Sequence, residues 1–402
     1  MHRSLASALV LGLAAGCGSS VSTVSPGPAT TAPSPAATPV ATSAAASVQP
    51  SAASTPFPVE AFATLTDDPV PPDLASKLQA ALSDMPPEGG GIAATVMTPA
   101  GTWSGAAGTA DGVDDLAVDS QFGIGSGTKP IIAAQVMQLV EAGGISLDAP
   151  ATDYLPADFT FDTNGATIRQ LLGHRSGIPD WYPAMKEQFA QDRSRVWTLD
   201  EVLALVPATR RPAGGAIDYA DTNYNLLGLV IEHVRQRPLV DVLREGVLRV
   251  EGTERLIWQP EEAPTEPLAM PRGESRETFE EGLGYLPSLS DTVDGAAGGM
   301  ASDTISLARW WRAFCAGDIV SKASLAEMSS FHRDADDEYG LGLFNPAPGY
   351  AQGVGHLGGN FGYSSWSGCL PEDQAVIVVL RNFEDDHIFE MGRPLVMAAR
   401  SD

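Results

Sequence analysis

Two groups of strand-like segments, one near each end of the chain, flank a long middle region with helical patterns. Residues 91–97 and 102–110 read as a hairpin around a Pro-Ala-Gly turn, and residues 362–368 and 375–380 carry later strand patterns. Between about residues 151 and 296 the clear periodicities are helical. This order favours an α/β lobe whose sheet is built from both chain ends, with an all-α lobe between them.

Further patterns complete this arrangement. We predict helices at 73–84, 199–206, 223–234, 240–247, 305–314 and 388–399, and one more strand at 339–344. The chain from residue 59 to residue 402 is long enough to bury more than a single layer would need. We therefore expect one domain over residues 59–402 with two interleaved lobes.

A serine and a lysine, Ser126 and Lys129, stand three residues apart where an apolar helical pattern begins. The chain has four lysines, and only Lys129 follows a serine at this spacing. Residues at positions i and i+3 share a helix face, so the amine can lie within reach of the hydroxyl. Pro130, in the first turn, fits a helix that begins here. The pair predicts an activated serine nucleophile.

The alternative interpretation is that Ser126 caps the helix while Lys129 is a solvated surface charge. The glycines Gly123, Gly125 and Gly127 favour the catalytic interpretation. They remove side chains from around Ser126 and allow another group to approach its backbone closely. A plain helix cap has no need of that space.

Residues 1–17 have the pattern of a bacterial export signal. Arg3 precedes an apolar run, and Ala-Ala-Gly stands directly before Cys17, which resembles a lipoprotein processing site. Ala14 replaces the leucine usual in such sites, so ordinary secretion with a free or removed Cys17 stays open. We predict secretion across the cytoplasmic membrane, with Cys17 lipidated as the anchor in the bacterial cell envelope.

Residues 18–58 carry no charged residue and consist mainly of Ser, Thr, Ala, Pro and Val. This composition cannot build a core and predicts a disordered, partly polyproline tether. At about 3.1 Å per residue it would reach on the order of 120 Å from the anchor. Since no other apolar stretch approaches the length of a membrane span, the N-terminal lipid is the only membrane contact that we expect.

The formal net charge of -26 at pH 7 argues against nucleic acid and anionic lipid surfaces as partners. No Cys-x-x-Cys, His-Glu-x-x-His or calcium-loop spacing occurs, so the sequence indicates no metal and no cofactor. Cys315 and Cys369 can pair in an oxidising compartment. Cys315 falls in a helical pattern, however, and we expect it rather to be a small buried apolar residue.

Two further groups of residues carry chemistry. Tyr219 and Asp221 come just before a predicted helix, and His356 stands two residues before Gly358 and Gly359, ahead of a predicted strand. Taken alone, such a tyrosine usually packs its ring, and a histidine in a glycine loop is uninformative. The two glycines would let a backbone N–H face a ligand.

Together these groups resemble the serine β-lactamase-like family, which includes class C β-lactamases, penicillin-binding D,D-carboxypeptidases, D-aminopeptidases and related esterases. The three motifs of the family have counterparts here in the same order: Ser126-x-x-Lys129, Tyr219-x-Asp221 (Y-x-N) and His356-x-Gly358 (K-T-G or H-x-G). Segments 171–179, 222–228 and 298–302 also resemble the family. The resemblance implies the β-lactamase/transpeptidase-like fold, an antiparallel sheet flanked by helices with a helical second lobe.

The resemblance also implies the chemistry. Ser126 would attack an ester or amide carbonyl and form an acyl-enzyme, with Lys129 and Tyr219 moving the proton. Both side chains ordinarily hold their protons, so contact and burial must make at least one a stronger acid, and the ammonium favours the phenolate. The backbone N–H groups of Ser126 and Gly359 would hold the oxyanion. His356 would line the far wall and help bind or protonate the substrate.

Two positions depart from the family pattern. Asp221 stands where the family has an asparagine, and an ionised carboxylate cannot donate a hydrogen bond to a substrate carbonyl. It would instead pair with Lys129 and hold that lysine charged, which makes Tyr219 the preferred base. His356 replaces the lysine that β-lactamases use to meet a substrate carboxylate, so efficient β-lactam hydrolysis is the least expected activity. We expect His174 to brace a turn of the helical lobe, outside the site.

We predict a secreted serine hydrolase that acts on a small-molecule or peptide substrate, as a D,D-carboxypeptidase-like peptidase or as an esterase. An envelope location favours peptidoglycan peptides, whereas Asp221 favours esters. The alternative is a non-catalytic envelope-binding protein that keeps the fold. A conventional α/β-hydrolase is disfavoured, because Ile124 stands where the G-x-S-x-G motif would place its first glycine.

Overall fold

The computed structural model describes residues 57–86, 90–189, 195–259, 261–265, 267–272, 293–335, 337–360, 362–384 and 387–400. The predicted export signal, Cys17 and nearly all of the predicted tether lie outside the described residues, as do residues 273–292 of the predicted helical lobe. Among the helices in the described ranges, none combines the length and the apolar character needed to cross a membrane.

The strands of the described chain are short to medium in length. They are β1 (Gly91–Thr98), β2 (Gly101–Gly108), β3 (Phe122–Gly123), β4 (Ile257–Trp258), β5 (Met300–Ser302), β6 (His332–Arg333), β7 (Glu338–Tyr339), β8 (Val354–Asn360), β9 (Tyr363–Leu370) and β10 (Ala375–Arg381).

The α-helices lie mainly between β2 and β8. They are α1 (Val59–Ala63), α2 (Pro72–Ser83), α3 (Lys129–Glu141), α4 (Ile168–Leu172), α5 (Tyr182–Phe189), α6 (Leu199–Ala204), α7 (Asp221–Arg235), α8 (Leu239–Glu245), α9 (Thr304–Ala316), α10 (Lys322–Met328) and α11 (Arg393–Arg400). Short 3-10 turns occur at Gly125–Thr128, Ala151–Tyr154, Gly295–Ala297 and Ile388–Glu390.

The main sheet is antiparallel and has the strand order β2-β1-β10-β9-β8. Because β1 pairs with both β2 and β10, the N-terminal hairpin and the C-terminal strands form one sheet. This confirms the predicted sheet built from both chain ends. β8 is an edge strand, so one side of its backbone is available to another element.

Helices cover both faces of this sheet. All residues of β10 are buried, with Ile377 and Val379 in one core cluster and Val378 and Leu380 in another. α2 and α11 pack together over the first face, while α9 contacts β1, β9 and β10. Alternate residues of a strand point to opposite faces. The near-continuous apolar run of β10 is therefore explained by helices on both sides.

The helical lobe meets the sheet at α3. This helix contacts α7 in the helical lobe and β8 at the sheet edge. The 3-10 turn Gly125–Thr128, here called the Ser126 turn, leads directly into α3 and is buried. The turn also contacts β8 and β9. The predicted nucleophile therefore lies at the junction of the two lobes.

Several local predictions need correction. The strand predicted at 339–344 is limited to β7, because Gly342 adopts a φ of +79° and bends the chain away from an extended path. His356 lies inside β8 and not ahead of a strand. The helix predicted at 388–399 is divided into a 3-10 turn at Ile388–Glu390 and the helix α11.

Cys315 of α9 and Cys369 of β9 form a disulfide bond. The sequence left this pairing open and favoured a free, buried Cys315, which is wrong, although Cys315 is indeed buried. The bond closes a sequence separation of 54 residues. A cross-link of that loop length stabilises a fold by roughly 4 kcal/mol in the chain-entropy account.

Candidate active site

Ser126 and Lys129 are in contact. Ser126 is on the turn that precedes α3, Lys129 is the first residue of α3, and Lys129 Nζ donates to Ser126 Oγ at 2.9 Å. The lysine side chain is fully buried and Ser126 is only 7% exposed. The predicted contact of hydroxyl and amine is confirmed, and the alternative of a solvated surface lysine is wrong.

Lys129 makes two hydrogen bonds and one close ion pair. Besides Ser126, it donates to the carbonyl oxygen of Ala297 at 2.7 Å and pairs with Asp221 Oδ1 at 2.6 Å. An ammonium group has three donors and no acceptor, which matches two hydrogen bonds and one carboxylate contact. The predicted pairing of Asp221 with Lys129 is confirmed.

The glycines of the Ser126 turn and of β8 allow two backbones to touch. A Cβ added to Gly125, whose φ is +50°, would lie 2.6 Å from the carbonyl oxygen of Gly359. A Cβ on Gly358 would lie 1.9 Å from the carbonyl oxygen of Ile124. The space that the sequence reserves around Ser126 is therefore filled by the edge of β8. This contact places the Gly359 backbone beside the nucleophile, as a two-donor oxyanion site requires.

Tyr219 lies just before α7, with its ring centroid 5.0 Å from Lys129 Nζ. Burial, and after it the charge of Asp221, raises the pKa of Tyr219 well above its ordinary value, while the nearby Ser126 hydroxyl lowers it in part. Despite that proximity, the buried Tyr219 hydroxyl has no hydrogen bond of ordinary geometry among the described residues. The expectation that Lys129 would stabilise a phenolate is therefore wrong, and the resting side chain is a neutral phenol.

His174 belongs to the site, although the sequence placed it outside. Its imidazole stacks on the Tyr219 ring with centroids 4.1 Å apart. Its carbonyl oxygen accepts from the Asp218 N–H at 2.8 Å, and its Nδ1 accepts from the Ala220 N–H at 3.2 Å. His174 therefore contacts the chain on both sides of Tyr219. Its φ of +52°, uncommon for a residue with a side chain, indicates that the surroundings enforce this conformation.

Neither histidine of the site is poised to exchange a proton. Burial, and then the charge of Lys129, lowers the pKa of His356 to about 3. Since its Nδ1 faces the Leu357 carbonyl at 2.5 Å, Nδ1 carries the proton and Nε2 accepts from the Tyr339 hydroxyl at 2.8 Å. Burial, and then Lys129, likewise lowers the pKa of His174 well below its ordinary value.

The surroundings of His356 contradict the role that the sequence gave it. The residue is 1% exposed, and each of its ring nitrogens has a hydrogen-bond partner within the protein. It therefore cannot meet or protonate a substrate from this position. The four residues His174, Tyr219, Tyr339 and His356, whose rings contact one another, are called the aromatic wall below.

Two carboxyl groups that the sequence did not single out complete the site. Burial, and then the charge of Asp221, raises the pKa of Asp180 to about 8 and that of Asp294 well above its ordinary value. Asp294 precedes the Gly295–Ala297 turn, whose last carbonyl binds Lys129. Asp180, Asp221 and Asp294 are called the acidic wall below. Sequence periodicity did not reveal Asp180, which lies in an irregular segment, or Asp294, which directly precedes the short Gly295–Ala297 turn.

A buried serine bonded to a lysine, at the junction of a helix-covered antiparallel sheet and a helical lobe, defines the class of active-serine proteins with the β-lactamase/transpeptidase fold. The family model described as Beta-lactamase matches residues 79–399. The chain belongs to the β-lactamase family, and the resemblance inferred from its motifs is confirmed.

Three similar proteins illustrate the range of the family. The solved D-amino acid amidase from Ochrobactrum anthropi SV3, in complex with L-phenylalanine amide, is 25% identical with a TM-score of 0.69 over 81% of this chain and 98% of that one. A Bacillus subtilis (strain 168) protein named as a penicillin-binding protein, PbpX, is 26% identical over 66% of this chain and 63% of its own length. Esterase EstB from Burkholderia gladioli is 42% identical over 16% of this chain and 17% of its own. The match thus spans less than two thirds of PbpX.

Proposed function

We propose that the protein is a serine hydrolase that forms an acyl-enzyme on Ser126 and cleaves an ester or amide, as an esterase or a D,D-carboxypeptidase-like peptidase. The observation that carries this proposal is the 2.9 Å contact between Ser126 Oγ and Lys129 Nζ, with Tyr219 alongside and the β8 edge opposite. The similarity to a D-amino acid amidase supports amides of D-amino acids among the substrates.

The reaction has two halves. Ser126 Oγ attacks the carbonyl carbon, its proton passes to the pair formed by Lys129 and Tyr219, and that pair returns a proton to the departing alcohol or amine. Water then attacks the acyl-enzyme, the acid leaves, and Ser126 regains its proton. The N–H groups of Ser126 and Gly359 hold the negative oxygen in both halves.

The protonation of the general base predicts that activity is highest at alkaline pH. Burial and the charge of Asp221 raise the pKa of Tyr219, so this side chain holds its proton at neutral pH. Tyr219 must lose that proton before it can accept the proton of Ser126. We therefore expect kcat/KM for a neutral ester to keep rising with pH above 7.

Asp221 shapes the choice of substrate. Its Oδ1 is taken up by Lys129, and as a carboxylate it offers no N–H to the acylamide carbonyl of a peptide or β-lactam. A substrate without an acylamide carbonyl loses no hydrogen bond when Asp221 replaces an asparagine. We expect p-nitrophenyl acetate to be hydrolysed faster than a D-Ala-D-Ala peptide, and nitrocefin more slowly than either.

The nucleophile is tested by labelling the purified protein with a fluorophosphonate probe, read by intact-mass spectrometry. The wild type is expected to gain one adduct and Ser126→Ala none. Ser120→Ala is the matched control, because the Ser120 hydroxyl is buried without a hydrogen-bond partner among the described residues. Undiminished labelling of Ser126→Ala would contradict the proposal. A wild type that neither labels nor hydrolyses any of these substrates would support the non-catalytic binding protein instead.

We also propose that the chain is exported and that Cys17 carries the lipid. The support is the Ala-Ala-Gly-Cys sequence and the Cys315–Cys369 disulfide, which is typical of an oxidising compartment. Expression of the full chain in a bacterium with radiolabelled palmitate should label the wild type and leave Cys17→Ser unlabelled. Equal labelling of both would refute the anchor, and an unprocessed chain in the cytoplasm would refute export.

A further inference from the structure

The Ser126 turn begins without a side-chain cap, so its position depends on contacts made by its backbone. Ile124, the residue before the turn, has an apolar side chain and makes no cap hydrogen bond. Its N–H donates to the carbonyl oxygen of Met300 in β5 at 2.9 Å, and its own carbonyl oxygen accepts from the Gly127 N–H at 3.0 Å. The entry to the turn is therefore fixed through the backbone of Ile124.

Ser365 of β9 makes a further bond to the same carbonyl group. Its hydroxyl donates to the Ile124 carbonyl oxygen at 2.7 Å, across a sequence separation of 241 residues. Ser365 is fully buried inside the main sheet, where it pairs with Gly358 of β8 and Leu380 of β10. A hydroxyl is costly to bury among apolar strands unless it finds a hydrogen-bond partner. Ser365 finds that partner beside the nucleophile.

The glycines around the Ser365 hydroxyl explain how a sheet residue reaches the turn. A Cβ added to Gly358 would lie 2.5 Å from Ser365 Oγ, and one added to Gly127 would lie 3.3 Å from it. The hydroxyl therefore lies between the edge strand β8 and the Ser126 turn. Since Gly358 directly precedes Gly359, this bond ties the turn to the part of the sheet that carries the second oxyanion donor of the proposed function.

Thr128, the last residue of the turn, is held from β5. The Met300 N–H donates to Thr128 Oγ1 at 3.2 Å, while the Met300 carbonyl oxygen accepts from the Ile124 N–H. One residue of β5 thus binds the chain on both sides of Ser126. Thr128 is fully buried, and a buried N–H that loses its acceptor is destabilising. Removing the Thr128 hydroxyl should therefore loosen this end of the turn.

We propose that Ser365 and Thr128 are positioning residues for the nucleophile. Their hydroxyl groups hold the Ser126 turn against β9 and β5, so that the N–H groups of Ser126 and Gly359 face the same oxyanion. Both act through the backbone of the turn and not on the substrate. The role rests on the proposed function for the reaction step that it affects.

This role predicts a specific kinetic effect. The oxyanion donors act both when the acyl-enzyme forms and when it is hydrolysed. A turn held less firmly therefore slows both halves of the reaction together, which lowers kcat and changes KM little. The rise of activity with pH should keep its shape, because neither hydroxyl contacts Lys129 or Tyr219 in this arrangement.

The first test is amide hydrogen exchange of the full chain, read by mass spectrometry on peptides that cover the Ser126 turn. We expect exchange to be about 5-fold faster in Ser365→Ala and in Thr128→Val, since each variant loses one buried hydrogen bond. Thr128→Ser keeps the acceptor and should resemble the wild type. Ser367→Ala is the matched control, because Ser367 is equally buried on β9 and its hydroxyl has no hydrogen-bond partner among the described residues.

The second test is the hydrolysis of p-nitrophenyl acetate by the same variants, after circular dichroism has confirmed their folding. We expect kcat to fall about 10-fold in Ser365→Ala and in Thr128→Val, with KM within about 2-fold of the wild type. Thr128→Ser and Ser367→Ala should keep most of the wild-type kcat.

Two kinds of result would overturn the proposal. One is exchange of the turn that is unchanged in both Ser365→Ala and Thr128→Val, whatever the activity. The other is an active wild type whose kcat survives in both variants or falls equally in Ser367→Ala. A wild type that hydrolyses no ester would contradict the proposed function instead, and the exchange experiment would still decide whether the two hydroxyl groups hold the turn.

Discussion

The two walls beside Ser126 differ in how their polar groups are satisfied. In the aromatic wall, His356 has a partner on each nitrogen, and both histidines are neutral because burial lowers their pKa values. In the acidic wall, Asp294 is buried and Asp180 is half-buried, and burial together with the charge of Asp221 raises the pKa of both. The aromatic wall holds neutral rings, whereas the acidic wall groups carboxyl groups whose negative charges raise one another's pKa values.

This difference reverses the usual assignment of pH sensitivity. Histidine is ordinarily the side chain that titrates near neutral pH. Here the His356 pKa is lowered to about 3, and the group expected to titrate near neutrality is Asp180, with a pKa of about 8. We infer that the aromatic wall fixes geometry while the acidic wall responds to pH.

Replacing Lys129 by methionine should have the largest effect, because this cation lies between the two walls. We expect kcat/KM for p-nitrophenyl acetate to fall on the order of 10³-fold, since the serine loses its proton-transfer partner. The control is Lys322→Met, which removes an exposed lysine that pairs with Glu60. A Lys129→Met protein with more than a tenth of wild-type activity would show that the cation is dispensable.

His174→Ala tests whether the aromatic wall positions Tyr219. We expect kcat to fall about 10- to 100-fold with little change in KM, because Tyr219 loses its stacking partner and the neighbouring Ala220 N–H loses its acceptor on His174. His174→Asn is the matched variant, since asparagine tolerates a positive φ. Compared with His174→Ala, the His174→Asn protein should recover most of the thermal stability but little of the lost kcat. A His174→Ala protein in which KM rises and kcat is unchanged would contradict this role.

Asp294→Asn should make the protein more stable at alkaline pH. The native pKa of Asp294 is raised above its unfolded value, so the native state holds the proton longer and stability falls as pH rises above about 4. The amide variant avoids that loss. Urea unfolding at pH 8 should show a gain of about 1 to 2 kcal/mol, shrinking toward pH 5. Equal stabilities at pH 8 would mean that the wall is not under electrostatic strain.

His356→Gln should have the smallest effect on the pH response. Because His356 is neutral at every working pH, its loss leaves the shape of the kcat/KM profile between pH 5.5 and 8 unchanged. Stability should fall by about 1 to 2 kcal/mol, since the bond from Tyr339 is lost. If kcat/KM of the wild type changed near pH 6.5 and that of the variant did not, the pH response would belong to the aromatic wall.

The sequence predicted the parts of the site that depend on local spacing. Ser126 and Lys129 meet because i and i+3 share one face, and Asp221 reaches Lys129 because it begins a neighbouring helix. The sheet was predictable because alternating and apolar runs near both chain ends specify strands.

The remaining features depend on tertiary approach. Asp180, Asp294 and His174 lie outside the long periodic helices and strands, and only the assembled fold brings each of them near Lys129. The burial of His356 was missed because the sequence does not show that Tyr339 covers it from a separate segment. The raised pKa of Tyr219 was missed because burial outweighs the nearby ammonium, and burial cannot be read from spacing.

Nuclear magnetic resonance of protein labelled with 15N at histidine and 13C at the aspartate carboxyl groups tests the contrast between the walls most directly. Between pH 5 and 8 the ring nitrogens of His174 and His356 should keep the shifts of neutral imidazole. Over the same range the Asp180 carboxyl signal should begin to titrate, with a midpoint near 8. A histidine of the aromatic wall that titrates between pH 6 and 7, or an Asp180 that is fully ionised at pH 5, would contradict this account.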